Sequence, residues 1–272
     1  MKINPTFALL LALAGCASAP PTLAPQRITE IVAAADRTPA DRSNDQRRKP
    51  EQMLAFIGLR PGLMALDVSA GGGYTSELLA RAIGPSGRVY GQSQPRDPGR
   101  AAPTPAAPEG GAAPPPSAEP PRTSAMALAA RQERLQAAGV EAAPIVALAQ
   151  RFDDPVPAAL ADGQLDLVTL MFNYHDLGFM GVDRDRMNRA LFRALKPGGA
   201  YVIADHAGRT GTGISESGTL HRIEEAFLRQ EVEAAGFRLA AEAQFLRNPA
   251  DPRDQNGPPM PKDEFVLKFI KP

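Results

Sequence analysis

The chain has 272 residues, 43% of them apolar and none tryptophan, with 30 basic side chains against 30 acidic ones. That length suffices to bury a full core, in one large domain or two small ones. A balanced charge and a pI near 6.9 exclude gripping nucleic acid through phosphate charge. One cysteine excludes internal disulfides and any cysteine-built zinc or iron–sulfur cage within one chain.

The first residues read as an address. Lys2 precedes the apolar run Phe7–Ala14, which is too short to span a bilayer, since that takes about 20 residues, but suits a secretory signal. The run ends Leu13-Ala14-Gly15-Cys16, which resembles a bacterial lipobox, and the single cysteine falls where that resemblance requires it. The resemblance implies removal of residues 1–15, lipidation at Cys16 and attachment to a membrane. Ala17, in the place of a retention aspartate, points to the outer membrane, facing the periplasm. An ordinary secretory signal is the competing reading. Residues 16–26 are expected to be a proline-stiffened tether, and residues 27–272 the folded body.

Along that body strands and helices alternate. Ile28, Ile31, Val32 and Ala35 mark a short amphipathic helix packed on the body or lidding its crevice. Asp45–Lys49 (DQRRK) reads as a solvated helix face. Leu63–Val68 suits a buried strand between Pro61-Gly62 and a glycine cluster, and Tyr74–Ile83 a helix closed by Gly84-Pro85. Arg88–Gly91 starts a second strand.

Residues 95–121 then hold ten prolines, seven alanines and three glycines, which leaves no apolar period and few backbone donors. We read them as a disordered or extended insertion. After it come a helix over Ser124–Ala138, a strand over Pro144–Leu148 and an apolar strand over Leu165–Phe172. Asp183 is placed to cap a helix lined by Met187, Leu191 and Leu195 and stopped at Pro197-Gly198-Gly199. Ala200–Ala204 is a fifth strand, and Leu220–Ala234 a helix with Ile223 and Phe227 inward. Alternation in Phe237–Phe245 and Phe265–Phe269 predicts an antiparallel hairpin. The sum is one α/β domain: a doubly wound, mostly parallel sheet with a C-terminal antiparallel hairpin.

In such a sheet, ligands bind beyond the carboxyl ends of the strands. The loop after the first strand reads Asp67-Val-Ser-Ala-Gly-Gly-Gly-Tyr-Thr75, bare of side chains ahead of a helix N-terminus. Asp67, Ser69, Gly71 and Gly73 stand at the spacing of the acidic-x-Gly-x-Gly-x-Gly loop, with Ser69 for the first glycine. With Asp166-Leu-Val168 and Leu191-Phe-Arg-Ala-Leu-Lys-Pro-Gly-Gly199, the chain resembles class I S-adenosylmethionine-dependent methyltransferases from about residue 50 onward, insertion excepted. It is similar to a predicted bacterial subgroup with Tyr-His-Asp and Asn-Pro-Ala-Asp segments, here Tyr174–Asp176 and Asn248–Asp251.

The resemblance implies a seven-stranded Rossmann-like methyltransferase fold, S-adenosyl-L-methionine as cofactor and a small-molecule acceptor. It identifies no protein partner. It places Asp67 at the cofactor's amino acid end and Ser69, Gly71, Gly72, Gly73 and Tyr74 along it. Gln92 takes the position of the acid that holds the ribose, where its contact is weaker for lack of charge. Asp153, after Phe152, would meet the adenine, and Asn173 and Tyr174 would wall the methyl donor.

Only three histidines occur: His175, His206 and His221. The topology carries all three toward one crevice, beside Asp176 and Asp205. Three roles are open to them: base and orienting partners for an acceptor proton, ligands of a divalent metal, or plain loop hydrogen bonding. No metal is assigned. His221 and Glu225 are also spaced as a helical i,i+4 pair. Gly208–Gly218 reads as a flexible loop and substrate gate. Beside methyl transfer stands a second function: a lipid-anchored envelope binding protein that keeps the fold without the reaction.

Overall fold

The computed structural model describes residues 21–95, 122–257 and 261–272. Cys16, its signal and most of the proline-rich insertion lie outside these. Leu23 already lies on the body, its N–H donating to Leu59 O at 2.8 Å, so the second half of the expected tether is docked rather than free. Three short helices follow, α1 (Pro25–Ala33), α2 (Pro39–Arg48) and α3 (Pro50–Ile57), each with proline in its first turn. There the missing N–H costs nothing and the fixed φ is already helical. Thr38 caps α2 by accepting from Asp41 N–H, and Lys49, left-handed at φ 46°, turns the chain between α2 and α3.

The body then alternates strand and helix. β1 (Met64–Val68) leads through the glycine loop into α4 (Tyr74–Ile83), and β2 (Arg88–Ser93) runs to the insertion. α5 (Ser124–Ala137), capped by Thr123, precedes β3 (Ile145–Ala149) and β4 (Leu165–Met171). Next come α6 (Asp176–Phe179), α7 (Arg184–Ala194), β5 (Leu195–His206), α8 (Ser217–Leu220) and α9 (Glu225–Ala234). β6 (Arg238–Ala243) and β7 (Glu264–Ile270) end the fold.

The seven strands form one sheet in the order β3-β2-β1-β4-β5-β7-β6. β1 pairs in parallel with β2 and β4, β2 with β3, and β4 with β5. β7 inserts antiparallel between β5 and β6, with Ala204 opposite Val266. This is the doubly wound α/β sheet with its C-terminal hairpin that the alternation predicts. Both faces are covered. Leu66 and Val68 join a core with Met187, Leu191, Leu228 and Val232, whereas Ala65 joins another with Leu78, Leu79 and Ile83. Fully burying a leucine such as Leu66 or Leu79 contributes about 2 kcal/mol. No helix among the described residues is long and apolar enough to cross a membrane.

The expected helix over residues 220–234 is shorter. α9 starts at Glu225, because His221 is left-handed at φ 51° and Ile223 bridges Ala207 beside β5. Ile223 is buried as expected, but through that bridge and not through a helix face. The His221–Glu225 helical pair therefore does not form; Glu225 holds Arg247 instead.

Candidate functional site

The loop between β1 and α4 is built on positive φ angles, +59° at Ser69, +52° at Gly71 and +77° at Gly73. A Cβ at Gly73 would lie 2.7 Å from Leu128 and 2.8 Å from Arg131, so only glycine fits there. Gly71 and Gly72 are solvent-exposed, and a Cβ on Gly72 would meet nothing within 4 Å. The bend is open on its outer side, a main-chain cradle that a ligand can approach.

Asp67 lies beneath this loop, not in it. It is buried, accepting from Ser76 Oγ at 2.6 Å and Thr169 Oγ1 at 2.8 Å. Burial pushes its pKa up to about 6 despite those two donors. Gln92 is also committed inside. Its Oε1 accepts from Ser69 N–H at 3.0 Å and its Nε2 donates to Gln150 O at 2.7 Å, which ties the ends of β1, β2 and β3 together. A side chain with both amide ends occupied and no exposure cannot serve a ribose, so the role expected of Gln92 is replaced by a structural one. Asp153 pairs with Arg151 at 2.9 Å, and that guanidinium holds its carboxyl below the usual range.

The tip of β4 carries the next group. Asn173 accepts from Ser69 Oγ at 2.7 Å and donates to Asp176 Oδ2 at 3.0 Å, so it bridges the glycine loop and the histidine group. Tyr174 does not. Its ring is in the core, and its hydroxyl meets Asn188 at 2.8 Å and Glu231 at 3.0 Å on the far side of the sheet. Consecutive residues leaving a strand tip face opposite ways, which is why one of the pair reaches the crevice and the other does not.

The histidines converge as the topology requires. The ring of His175 lies 5.1 Å from that of His206 and 5.7 Å from that of His221. His175 Nδ1 is 2.5 Å from Asp205 Oδ1, and its Nε2 is 3.0 Å from Asp176 Oδ1. Burial alone would lower the His175 pKa, but Asp205 and Asp176 outweigh it and raise it to about 10. His175 is therefore a buried imidazolium between two carboxylates and cannot take a proton. Asp205 also accepts from the backbone N–H groups of His175 and His206, so it builds the bend in which both sit. His206 is buried, with Nδ1 3.2 Å from Glu264.

His221 Nδ1 is 2.6 Å from Asp176 Oδ1, with a part-exposed ring edged by Phe179. Burial would raise the Asp176 pKa, but His175 and His221 outweigh it and hold it low. Among the described residues, His175, Asp176 and His221 form a group of potential metal donors, with ligand atoms all within 4.8 Å of one another.

Other functional side chains carry no clear sequence signal. The DQRRK run is not a solvated face. Asp45 accepts from Tyr74 Oη at 2.6 Å and pairs with Arg37, while Arg47 and Arg48 lie 4.6 and 4.3 Å over the Phe172 ring. Burial and Asp45 both raise the Tyr74 pKa, so it stays a phenol. Arg131 of α5 donates to Gly72 O at 2.5 Å and pairs with Asp41 and Glu77, which latches α2 against the glycine loop. Arg222, next to His221, is buried and forked onto Asp251, with Ala207 O and Gln255 O as further acceptors. That accounts for the Asn-Pro-Ala-Asp segment. The Gly208–Gly218 loop is fastened as well: Ser217 Oγ donates to His175 O, and Glu224 accepts from Gly211 and Gly213 N–H.

No known family model matches the chain. Among solved structures it is similar to a SAM-dependent methyltransferase from Aquifex aeolicus, at 18% identity and TM-score 0.55, covering 92% of this chain and 100% of that one. It is similar also to the geranyl diphosphate C-methyltransferase of Streptomyces coelicolor A3(2), solved with Mg2+, geranyl diphosphate and S-adenosyl-L-homocysteine (11% identity, TM-score 0.54, 89% and 87% covered). A putative sarcosine dimethylglycine methyltransferase from Galdieria sulphuraria aligns at 15% identity and TM-score 0.51, with 85% of each chain covered. Likeness at such identities speaks to architecture, and together with the observed sheet order it establishes that the chain carries the Rossmann-like methyltransferase fold.

Proposed function

We propose that this protein is an S-adenosylmethionine-dependent methyltransferase acting on a small-molecule acceptor. One observation carries the reading: Ser69, Asn173 and Asp176 form a hydrogen-bonded line from the open glycines to the histidines. Glycine loop and candidate acid–base groups thus lie along one edge of the sheet, at the carboxyl ends of its parallel strands. The bare loop, with unhindered space at Gly72, fits a cofactor held through main-chain contact. When bound, S-adenosylmethionine supplies an electrophilic methyl group on a sulfonium that leaves readily.

The chain's own part is alignment and proton handling. Gly71 and Gly72 contact the donor through backbone, and Asn173 orients it from the side. At the acceptor end Asp176 holds Nδ1 of His221, which leaves Nε2 of that half-open ring to take the proton of a hydroxyl or thiol acceptor. His175, already protonated, serves the site by fixing Asp176.

The Leu13–Cys16 segment supports an exported, lipid-anchored protein of the bacterial envelope. Replacing Cys16 by serine is expected to release it from membranes; retention would refute the anchor. A second reading, a binding protein without transfer, is favoured by Gln92, since the position expected to hold the ribose is internally bonded. Calorimetry of the protein beginning at Cys16 separates the two. We expect S-adenosylmethionine to bind with one-to-one stoichiometry and Gly72→Val to abolish binding; no heat at millimolar ligand would overturn the methyltransferase reading.

A further inference from the structure

We propose that His175, Asp176 and His221 form a binding site for one divalent transition-metal ion, with Asp205 as its supporting outer carboxylate. The donors are His175 Nε2, Asp176 Oδ1 and His221 Nδ1. The first two are 3.0 Å apart and the last two 2.6 Å apart. Donors of zinc or a similar ion sit roughly 2.0–2.2 Å from the metal, which sets neighbouring donors about 3.0–3.5 Å from each other. Two of the three donor pairs are already close to that spacing, and all the ligand atoms lie inside 4.8 Å.

Three further features suit an ion as well as they suit the proton that His175 carries without one. Metal-bound imidazole ordinarily gives its other nitrogen to a carboxylate, which fixes the ring and raises its basicity. Here Asp205 Oδ1 faces His175 Nδ1 at 2.5 Å, and Asp205 Oδ2 holds the His175 backbone N–H at 2.7 Å. The charge count also matches once the ion displaces the proton that His175 otherwise carries: two carboxylates around neutral imidazoles leave two negative charges, which one divalent cation cancels. Finally, the donors run from the buried His175, 2% exposed, to the part-open His221. Such a gradient leaves one side of the ion accessible.

Two imidazoles and one carboxylate select zinc, iron(II), cobalt(II) or manganese(II) over calcium or magnesium. Three protein ligands leave coordination positions open for water or for a ligand oxygen. The ligand class is therefore an oxygen donor, such as a hydroxyl or a vicinal diol. With His221 Nδ1 and Asp176 committed to an ion, His221 would no longer serve as base, and the ion would supply the acidity of the oxygen it holds.

This site stands whether or not S-adenosylmethionine binds, so its test uses the metal alone. Tag-free protein beginning at Cys16 is stripped with a chelator, dialysed and titrated calorimetrically with zinc chloride. Cobalt(II) is then added for its visible absorption. We expect one zinc per chain at micromolar affinity or better, and cobalt bands between about 500 and 650 nm that zinc removes. His221→Ala, at a part-exposed position, should weaken zinc binding at least tenfold with circular dichroism unchanged. Asp205→Asn should weaken it about 10–100-fold, as loss of an outer carboxylate does elsewhere. No zinc binding at 1 mM, or zinc binding that His221→Ala and Asp176→Asn leave unchanged, would overturn the assignment. Zinc bound without S-adenosylmethionine binding would keep this site and remove the methyltransferase reading.

Discussion

Ser69 Oγ lies 2.7 Å from Asn173 Oδ1, so the first residue of the glycine loop is bonded to the tip of the neighbouring strand. Ser69 holds a left-handed φ of 59°, and its N–H is taken by Gln92. Serine in place of the first glycine is therefore a working substitution, because its hydroxyl spans the gap to β4. Asn173→Ala should cut that tie and the one to Asp176 together. We expect about 1–2 kcal/mol of lost stability, because both bonds are present without ligand, and about tenfold weaker S-adenosylmethionine binding from the freed loop. Calorimetry beside a thermal melt checks it.

Gly72 and Gly73 should behave oppositely although they are neighbours. Space is open around Gly72, so Gly72→Val should keep its stability and lose the cofactor. Gly73 is left-handed and closed off by Leu128 and Arg131. There even Gly73→Ala should cost roughly 2–4 kcal/mol through strain and overpacking. Urea unfolding of both variants, with the binding titration repeated, distinguishes cradle from hinge.

Asp67 gives stability a pH dependence of unusual sign. Its folded pKa, about 6, stands above the unfolded value of about 3.8, so the native state holds the extra proton in between. Stability from this group is greatest below pH 4, falls as pH rises toward 6 and is level beyond. The loss amounts to about 3 kcal/mol at 1.36 kcal/mol per pKa unit. Asp67→Asn should flatten the profile, so the stability difference between variant and wild type should grow in the variant's favour from pH 4 to pH 6.5. A difference that stays constant across that interval would contradict it.

Arg222 and Asp251 hold the strained His221 turn from behind, each almost fully buried. Breaking such a pair strands a charge, so Asp251→Ala should cost about 3–5 kcal/mol of stability. Asp251→Asn should cost less, and chemical denaturation ranks the two.

Tyr174→Phe tests the other side of the sheet. Its hydroxyl bonds Asn188 and Glu231, remote from the crevice. Removing it should cost about 1–3 kcal/mol of stability and leave S-adenosylmethionine affinity unchanged. A drop in affinity without a drop in stability would return Tyr174 to the donor wall.

The legible part of this chain was its periodic part. β1, α4, α7 and the C-terminal hairpin show apolar spacing bounded by glycine, proline or a capping aspartate, and they fold where those signals stand. Convergence of the histidines was legible because strand order alone carries residues 175, 206 and 221 to one edge. Side-chain direction was not. Gln92 and Tyr174 occupy plausible positions in the sequence, yet two hydrogen-bonding partners distant in sequence hold each inward. The DQRRK segment misled for another reason. A charged run looks solvated until its partners are known, and here they come from Arg37, Tyr74 and Phe172, which no local pattern reveals. The start of α9 was missed because a left-handed histidine has no signature comparable to glycine.

The latch of Arg131 across Gly72, Asp41 and Glu77 has a consequence of its own. α1 and α3 bury Ile28, Ile31, Met53, Leu54 and Ile57 in the core, whereas α2 is clasped beside the glycine loop by charge. The clasp's charges are only 4–12% exposed, and pairs so far from water are screened little by salt. The shape of the glycine loop is thereby insulated from the saltiness of the medium around the protein.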